Sequence, residues 1–276
     1  MDRIRLIASD MDATLLDEQS QLPADFEETI HALAELGIRF APASGRPLYT
    51  LEAMFPTLQD ELVFIGDNGG AIRWKGQNLF TSEMSPEGWR ALNRLTREQG
   101  DIAVLCGLES AYVERPFAVH DAVLRHFYTK IEYVDRLEDV TAPADKFTIY
   151  LPQHNAQQAY DTVYASQRSI YSVAVAGECW VDIMNPGVHK GAALQTLGQL
   201  WGLPSESMMA FGDTYNDAEM LQTVRYGFLM ENGSEPLRRK VPFLAPSHRE
   251  AGVMQVLHRV LAQNGCVCPE DFVPAH

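Results

Sequence analysis

Two carboxylates lie close together near the amino terminus, where an apolar run ends. Asp10 and Asp12 follow segment 7–9, and side chains two positions apart in a strand share one face. Such a pair resists ionising together unless a cation lies between the carboxylates or one of them keeps a proton. We therefore predict an active site in which Asp10 attacks phosphorus and Asp12 gives a proton to a departing alkoxide. A polar strand end that caps a helix is the alternative interpretation.

Polar residues also follow the next two predicted strands. Ser44 comes after the apolar segment 38–43, and Asn68 after the segment 62–65. A helical pattern with apolar residues at 26, 30 and 33 separates the first two strands, which predicts a parallel sheet. Open α/β sheets bind ligands along the carboxyl edge of their strands, so we expect the Ser44 hydroxyl to hold a phosphoryl oxygen there. A helix cap for Ser44 and a simple turn for Asn68 stay open.

The second half of the chain supplies a cation and another acidic cluster. Lys190 lies in the first turn of a helix predicted to end near Trp201, where the helix dipole disfavours a cation. A bound anion would account for a lysine at this position, since lysine serves as a point charge on phosphate. Asp213 and Asp217 follow the predicted strand 207–211 and offer the hard oxygen ligands that Mg²⁺ prefers. These residues predict a magnesium site.

Composition limits the partners. The 22 basic and 37 acidic residues give a net charge of −15, which disfavours nucleic acid and anionic membranes as partners but not a small phosphate ester. No signal peptide or membrane span is visible, so we expect a cytoplasmic protein. The oligomeric state stays open. The four cysteines lack the spacing of a structural zinc site and are expected to be free thiols: Cys106, Cys179, Cys266 and Cys268.

The middle of the chain differs in pattern from its two ends. Residues 84–182 mix helical patterns with short strands, so we predict an inserted α+β cap domain between two halves of a core domain, 1–83 and 183–276. Within the cap, the patterns predict helices over 89–96 and 154–166 and strands over 102–105, 111–113, 147–151, 171–176 and 179–183. His120, Arg125 and His126 are more often solvated or core-edge residues than ligands at such spacings.

Taken together, the chemistry-bearing residues resemble the four motifs of the haloacid dehalogenase-like superfamily in order and type. The segments that carry the resemblance to its Cof-type branch are Asp10-x-Asp12-x-Thr14, Ser44-Gly45-Arg46, Asn68-Gly69, Lys190-Gly191 and Gly212-Asp213-x-x-Asn216-Asp217. The resemblance covers nearly the whole chain. It implies an α/β fold, with a Rossmann-like parallel-sheet core and a large inserted α+β cap, and Mg²⁺-dependent phosphatase activity on a small-molecule phosphate monoester.

The resemblance also implies roles for individual residues. Asp10 would form an aspartyl-phosphate, while Asp12 would act first as the acid for the leaving group and then as the base for water. Thr14 would support the loop, and Ser44 and Lys190 would hold the phosphoryl oxygens.

The resemblance implies a metal site as well. Asp213 would bind Mg²⁺ together with Asp10 and the backbone carbonyl of Asp12, and Asp217 would complete the metal shell or orient Lys190. The remaining residues expected at the substrate or phosphate are Gly45, Arg46, Asn68 and Asn216.

Two departures from the branch affect loops near the predicted site. Ala13 stands where the family has Gly, and a left-handed backbone at Ala costs roughly 1–2 kcal/mol. Glu231 precedes Asn232 where the branch has a glycine. Three rival functions stay open: a phosphosugar mutase, a dehalogenase, and a catalytically weak binding or regulatory protein with the same fold. The dehalogenase is disfavoured, since attack on carbon gives Asp12 and the metal carboxylates no purpose.

Overall fold

The structure, a computed structural model, describes residues 1–276. Its strands are β1 (Asp2–Arg3), β2 (Leu6–Asp10), β3 (Arg39–Ala43), β4 (Val63–Gly66), β5 (Ala71–Trp74), β6 (Gln77–Thr81), β7 (Ile102–Gly107), β8 (Ala111–Glu114), β9 (Ile131–Val134), β10 (Ala144–Tyr150), β11 (Ser172–Val175), β12 (Trp180–Met184), β13 (Met208–Gly212), β14 (Tyr226–Met230), β15 (Phe243–Ala245), β16 (Cys266–Val267) and β17 (Val273–Pro274). Its α-helices are α1 (Phe26–Glu35), α2 (Leu48–Ala53), α3 (Pro86–Gln99), α4 (Asp121–Phe127), α5 (Ala156–Asp161), α6 (Lys190–Trp201), α7 (Ala218–Thr223) and α8 (Gly252–Ala262).

The larger sheet has nine strands in the order β17-β15-β14-β13-β2-β3-β4-β5-β6. The six strands from β15 to β4 are parallel, and the antiparallel strands β17, β5 and β6 extend the two ends. Strand β2 lies in the middle and is buried along its whole length, which explains its uninterrupted apolar sequence. The predicted α/β fold with a parallel sheet is confirmed.

Helices cover both faces of this sheet. On one face, Phe26 and Ile30 of α1 and Leu257 of α8 belong to a core of aromatic and aliphatic side chains. On the other face, Leu194 of α6 and Met220 of α7 pack against apolar side chains of the strands. The sheet is thus the middle of three layers, and its carboxyl edge is fixed by packing on both sides.

The second sheet has six strands in the order β11-β12-β10-β7-β8-β9, all antiparallel except for β8 and β9. One face packs on α3 and α5 through Trp89, Phe147 and Ile183. The opposite face carries Tyr150 and Trp180 and is partly covered by α4. Strand β12 extends to Met184, past the predicted end of the cap domain at residue 182. The domain boundaries themselves stay a prediction.

The predicted helix over 154–166 is shorter in the structure, where α5 ends at Asp161. The hydroxyl of Thr162 donates to the carbonyl of Gln158, and the chain then turns inward to bury Tyr164 completely. The Tyr164 hydroxyl reaches the carboxylate of Asp101 at 3.1 Å. This tertiary contact overrides the local helical pattern.

Segments without a sequence signal also form structure. The end of the chain, after Gln263, has no hydrophobic periodicity but contributes β16 beside β1 and β17 beside β15. Residues 115–127 form a 3-10 helix followed by α4. None of the helices combines the length and the apolar character that a membrane span needs.

Candidate functional site

The predicted site residues lie at one edge of the larger sheet. Asp10 ends β2, Ser44 follows β3, Asn68 follows β4, and Asp213 follows β13. Because these four strands are parallel neighbours, their carboxyl ends meet at the same edge. A cavity of about 570 Å³ opens there, between this edge and the six-stranded sheet.

Most predicted residues line this cavity, and three lie behind it. The lining includes Asp10, Asp12, Ser44, Gly45, Arg46, Asn68, Asp213 and Asn216. Thr14, Lys190 and Asp217 are buried next to these residues and line no part of the cavity. The cap residues His120, Arg125 and His126 do not line it either.

The floor of the cavity is strongly acidic. Carboxylate oxygens of Asp10, Asp213 and Asp217 all lie within 4.8 Å of one another, and all three residues are buried. Burial is the largest cause that raises the pKa of Asp213 to about 6 and the pKa of Asp10 well above its ordinary range. The negative charge of Asp217 adds to both shifts, whereas the positive charge of Lys190 opposes the shift of Asp10. A cluster of mutually repelling hard oxygen atoms is the kind of environment that attracts a small divalent cation.

Lys190 is the cation within this acidic cluster. It is the first residue of α6 and is completely buried, with its ammonium bonded to Asp10 and to Asp217 at 2.7 Å. Burial lowers the pKa of Lys190, but the two carboxylates outweigh that effect and hold the pKa above its ordinary value. The lysine therefore stays charged and offsets part of the negative charge next to Asp10.

Both carboxylate oxygens of Asp217 accept hydrogen bonds from other groups of the protein. Its Oδ1 accepts from Lys190, and its Oδ2 accepts from the backbone amides of Asp213 at 3.1 Å and Thr214 at 3.2 Å. Gly212 makes this approach possible, because a Cβ at that position would lie 2.5 Å from the Cβ of Asp217. The carboxylate thus fixes both Lys190 and the loop that carries Asp213.

Asp12 lies at the rim of the cavity, with 60% of its side chain exposed. The guanidinium of Arg46 binds both of its oxygens, at 2.5 and 3.1 Å. This two-point pairing brings together two residues that were predicted separately, one as an acid and the other as a substrate contact. At the same rim, Asn216 accepts from the hydroxyl of Thr214 at 2.6 Å.

The loop between Asp10 and Thr14 has a left-handed residue at its centre. Ala13 has φ 55° and ψ 14°, a left-handed conformation that Gly adopts without steric cost. The side-chain amide of Asn232 donates to the carbonyl of Ala13 at 2.9 Å, and Asn232 in turn accepts from the backbone amide of His248 at 3.0 Å. Asn232 therefore holds the strained loop in place, a role that sequence reasoning missed. Its neighbour Glu231 is exposed and does not line the cavity.

Ala13→Gly is expected to stabilise the protein by about 0.5–1 kcal/mol. Removing the left-handed strain gains about 1–2 kcal/mol, and the greater freedom of Gly in the unfolded chain takes back about 0.5–1 kcal/mol. Denaturant unfolding measures the difference. Ala32→Gly, in the middle of the right-handed helix α1, is the control and should destabilise by about 1 kcal/mol. Equal losses in both variants would refute the strain at Ala13.

The six-stranded sheet supplies cavity residues that sequence reasoning did not identify. Lys146 and Thr148 of β10 and Asp182 of β12 form a buried polar group, while Phe127 and Trp180 form an aromatic part of the wall. The available signal was period-two alternation, which places Lys146 and Thr148 on one face of a strand whose other face is apolar. A buried lysine at such a position needs a partner, and that partner is distant in sequence.

Thr14 and Asn68 each form a side-chain hydrogen bond to a carboxylate at or near the candidate site. The hydroxyl of Thr14 donates to Asp213 at 3.4 Å, consistent with its predicted loop-supporting role. The amide of Asn68 donates to Asp182 at 3.1 Å, while its own oxygen is buried without a partner. Asn68 adopts φ 56°, a conformation that asparagine tolerates better than most residues.

Comparisons with known proteins show which family this chain resembles. The family model described as haloacid dehalogenase-like hydrolase matches residues 7–257. The chain is 31% identical over 262 residues to the 5-amino-6-(5-phospho-D-ribitylamino)uracil phosphatase YbjI of Escherichia coli, covering 94% of this chain and 96% of the relative. It is also 31% identical over 249 residues to the HMP-PP phosphatase of Cronobacter sakazakii, covering 87% and 89%.

A solved structure shows the same similarity in three dimensions. The crystal structure of SMU.1108c from Streptococcus mutans superposes with a TM-score of 0.84 at 28% identity, covering 94% of this chain and 99% of that protein. The match of the family model and of whole-length relatives confirms the predicted Cof-type assignment. The chain therefore belongs to the haloacid dehalogenase-like hydrolases.

Proposed function

We propose that this protein is an Mg²⁺-dependent phosphatase that hydrolyses small-molecule phosphate monoesters through an aspartyl-phosphate on Asp10. The observation that carries the proposal is the position of the Asp10 carboxylate. It lies at the floor of the cavity, beside a buried lysine and two further carboxylates. A nucleophile for phosphorus needs this combination of exposure to substrate and offset negative charge.

Asp10 and Asp213 are the side chains that would hold Mg²⁺, together with the backbone carbonyl of Asp12. Asp217 instead orients Lys190, because both of its oxygens already accept hydrogen bonds within the protein. When bound, Mg²⁺ offsets the negative charge of the phosphoryl group and of the acidic cluster.

The side chains then divide the reaction into two transfers. A carboxylate oxygen of Asp10 bonds to phosphorus as the ester oxygen leaves, and Asp12 gives that oxygen a proton. Asp12 next takes a proton from water, whose oxygen bonds to phosphorus and releases Asp10 and inorganic phosphate. Ser44 holds a phosphoryl oxygen through both transfers, while Lys190, buried behind Asp10, offsets the negative charge beside the phosphoryl group. Arg46, which pairs with Asp12, lies where it can also reach the phosphate.

The cavity wall favours substrates that carry a ring. Phe127 and Trp180 pack edge to face at 5.0 Å and line the cavity beside the polar group of Thr148 and Asp182. Aromatic side chains pack well on flat rings, and the polar group can pair with ring substituents. The relatives named above are phosphatases for a ribityl-aminouracil phosphate and for HMP-PP. We propose that vitamin-like heterocyclic phosphates fit this cavity better than simple sugar phosphates.

Metal removal tests the proposed activity. The purified protein is expected to release phosphate from an aryl phosphate with Mg²⁺ present. It should lose that activity with EDTA, because EDTA removes the metal ion from the acidic cluster. Excess Mg²⁺ should restore the rate, which controls for unfolding. Conversion of a sugar 1-phosphate to its 6-phosphate without phosphate release would favour a mutase. Binding of phosphate without any turnover would favour a binding protein.

A further inference from the structure

The phosphate-binding turn, residues 44–46, has all three of its carbonyl groups held by other parts of the protein. The backbone amide of Asn68 donates to the first carbonyl and that of Asp67 to the third, both at 2.9 Å. The second carbonyl accepts from the ammonium of Lys146 at 2.5 Å. The two amides come from the loop after β4, whereas Lys146 comes from β10 of the other sheet.

These three bonds determine where the amide groups of the turn point. In a planar trans peptide, C=O and N–H point in opposite directions. Lys146 pulls the Gly45 carbonyl to one side, which directs the amide of Arg46 to the other side, where it donates to the hydroxyl oxygen of Ser44 at 3.1 Å. The Ser44 oxygen is thereby fixed as an acceptor, and its own proton stays available for a phosphoryl oxygen.

Burial and two neighbouring carboxylates hold Lys146 in this position. Only 2% of its side chain is exposed, and its ammonium lies 3.0 Å from Asp67 and 3.6 Å from Asp182. Asp182 is itself fixed by the hydroxyl of Thr148 at 2.7 Å and by the amide of Asn68. Burial lowers the pKa of Lys146, but the two carboxylates outweigh this and hold its pKa well above the ordinary value. The charged ammonium is thus immobilised between the two sheets.

We propose that Lys146 is a positioning residue that makes the phosphate-binding turn depend on the six-stranded sheet. It acts through the Gly45 carbonyl and the Arg46 amide on the Ser44 hydroxyl, and so on the affinity for the phosphoryl group. The inference rests on the proposed phosphatase function, because it assumes that Ser44 binds phosphate. It assigns to the cap a part in holding the phosphoryl group that is separate from any contact with the organic part of the substrate.

A double-mutant cycle tests this coupling. Binding of inorganic phosphate, with Mg²⁺ present, is measured by isothermal titration calorimetry for the wild type, Ser44→Ala, Lys146→Met and the double variant. Inorganic phosphate has no organic part, so contacts of Lys146 with a leaving group cannot contribute. When Ser44 is present, Lys146→Met is expected to raise the Kd for inorganic phosphate roughly 10-fold. In the Ser44→Ala background the same change is expected to raise it less than about 2-fold, since the group it positions is gone.

A matched control separates positioning from general coupling of the two sheets. Glu109→Gln breaks another ion pair between them, Arg73 with Glu109 at 2.6 Å, without touching the turn, and should leave the Kd unchanged. Thermal unfolding checks that each variant folds. If Lys146→Met does not fold, Lys146→Arg replaces it in the cycle, since it keeps the charge but cannot place a donor at the ammonium position.

The outcomes are distinct. Equal effects of Lys146→Met in both backgrounds, or none in either, would overturn the positioning role while leaving the phosphatase proposal intact. A wild type that neither binds phosphate nor hydrolyses phosphate esters would overturn both. A Glu109→Gln variant that raises the Kd as much as Lys146→Met would also overturn the inference, because any weakened contact between the sheets would then have the same effect.

Discussion

Asp10→Asn is expected to lower the turnover of an aryl phosphate by at least about 10⁴-fold while leaving the fold intact. The amide cannot form the bond to phosphorus that we propose for the carboxylate oxygen. The fold is expected to survive because the change removes one of three mutually repelling buried carboxylates, and Lys190 keeps Asp217 as its partner. Steady-state phosphate release measures the activity, and thermal unfolding measures the stability.

Asp60→Asn is the matched control for this variant. Asp60 is exposed and lies in the turn before β4, so the same chemical change should leave both turnover and stability at the wild-type level. Residual activity of Asp10→Asn within about tenfold of the wild type would mean that another group attacks phosphorus. A variant that is inactive because it has unfolded is recognised from the loss of its cooperative thermal transition.

Lys190→Met is expected to produce the largest loss of stability of any single change at the site, about 3–5 kcal/mol. It leaves the carboxylates of Asp10, Asp213 and Asp217 buried with no positive charge among them. For a chain of this length the loss corresponds to a melting temperature lower by roughly 6–20 °C. Turnover should fall as well, because the cation that offsets the negative charge beside Asp10 is lost.

A double variant tests whether the lost positive charge causes the loss of stability in Lys190→Met. Lys190→Met combined with Asp217→Asn removes one positive and one negative charge, and this double variant should recover much of the lost melting temperature without recovering turnover. Adding Mg²⁺ should also raise the melting temperature of Lys190→Met more than that of the wild type. If the double variant is no more stable than Lys190→Met, packing of the lysine stem, and not its charge, would account for the loss.

Much of the site was predictable because each part of it is local in sequence. Asp10, Ser44 and Asp213 each follow an apolar segment, and parallel strands bring such positions to a common edge wherever the strands come to lie in the sheet. Lys190 could be placed in the same way, since it lies in the first turn of α6, as the pattern indicated. The order of the strands was not needed for this prediction.

The contacts that sequence reasoning missed join residues far apart in the chain. The pairing of Asp12 with Arg46 depends on rotamers at two loops, and the bond from Lys146 to Gly45 depends on how the two sheets lie against each other. Neither is encoded in a periodic pattern. The strands β16 and β17 are two residues long and exist only because β1 and β15 are there to pair with them.

The order of strands in the larger sheet has a consequence for synthesis on the ribosome. Strand β2 pairs with β3, which follows soon after it, and with β13, which is made only after the whole six-stranded sheet has emerged. The smaller sheet is continuous in sequence and can fold as soon as β12 is available, while β2 still has one edge unpaired. Asp10 and Asp213 therefore meet late in translation. We expect the nascent chain to expose an apolar sheet edge for most of its synthesis and to assemble the candidate active site among the last steps of folding.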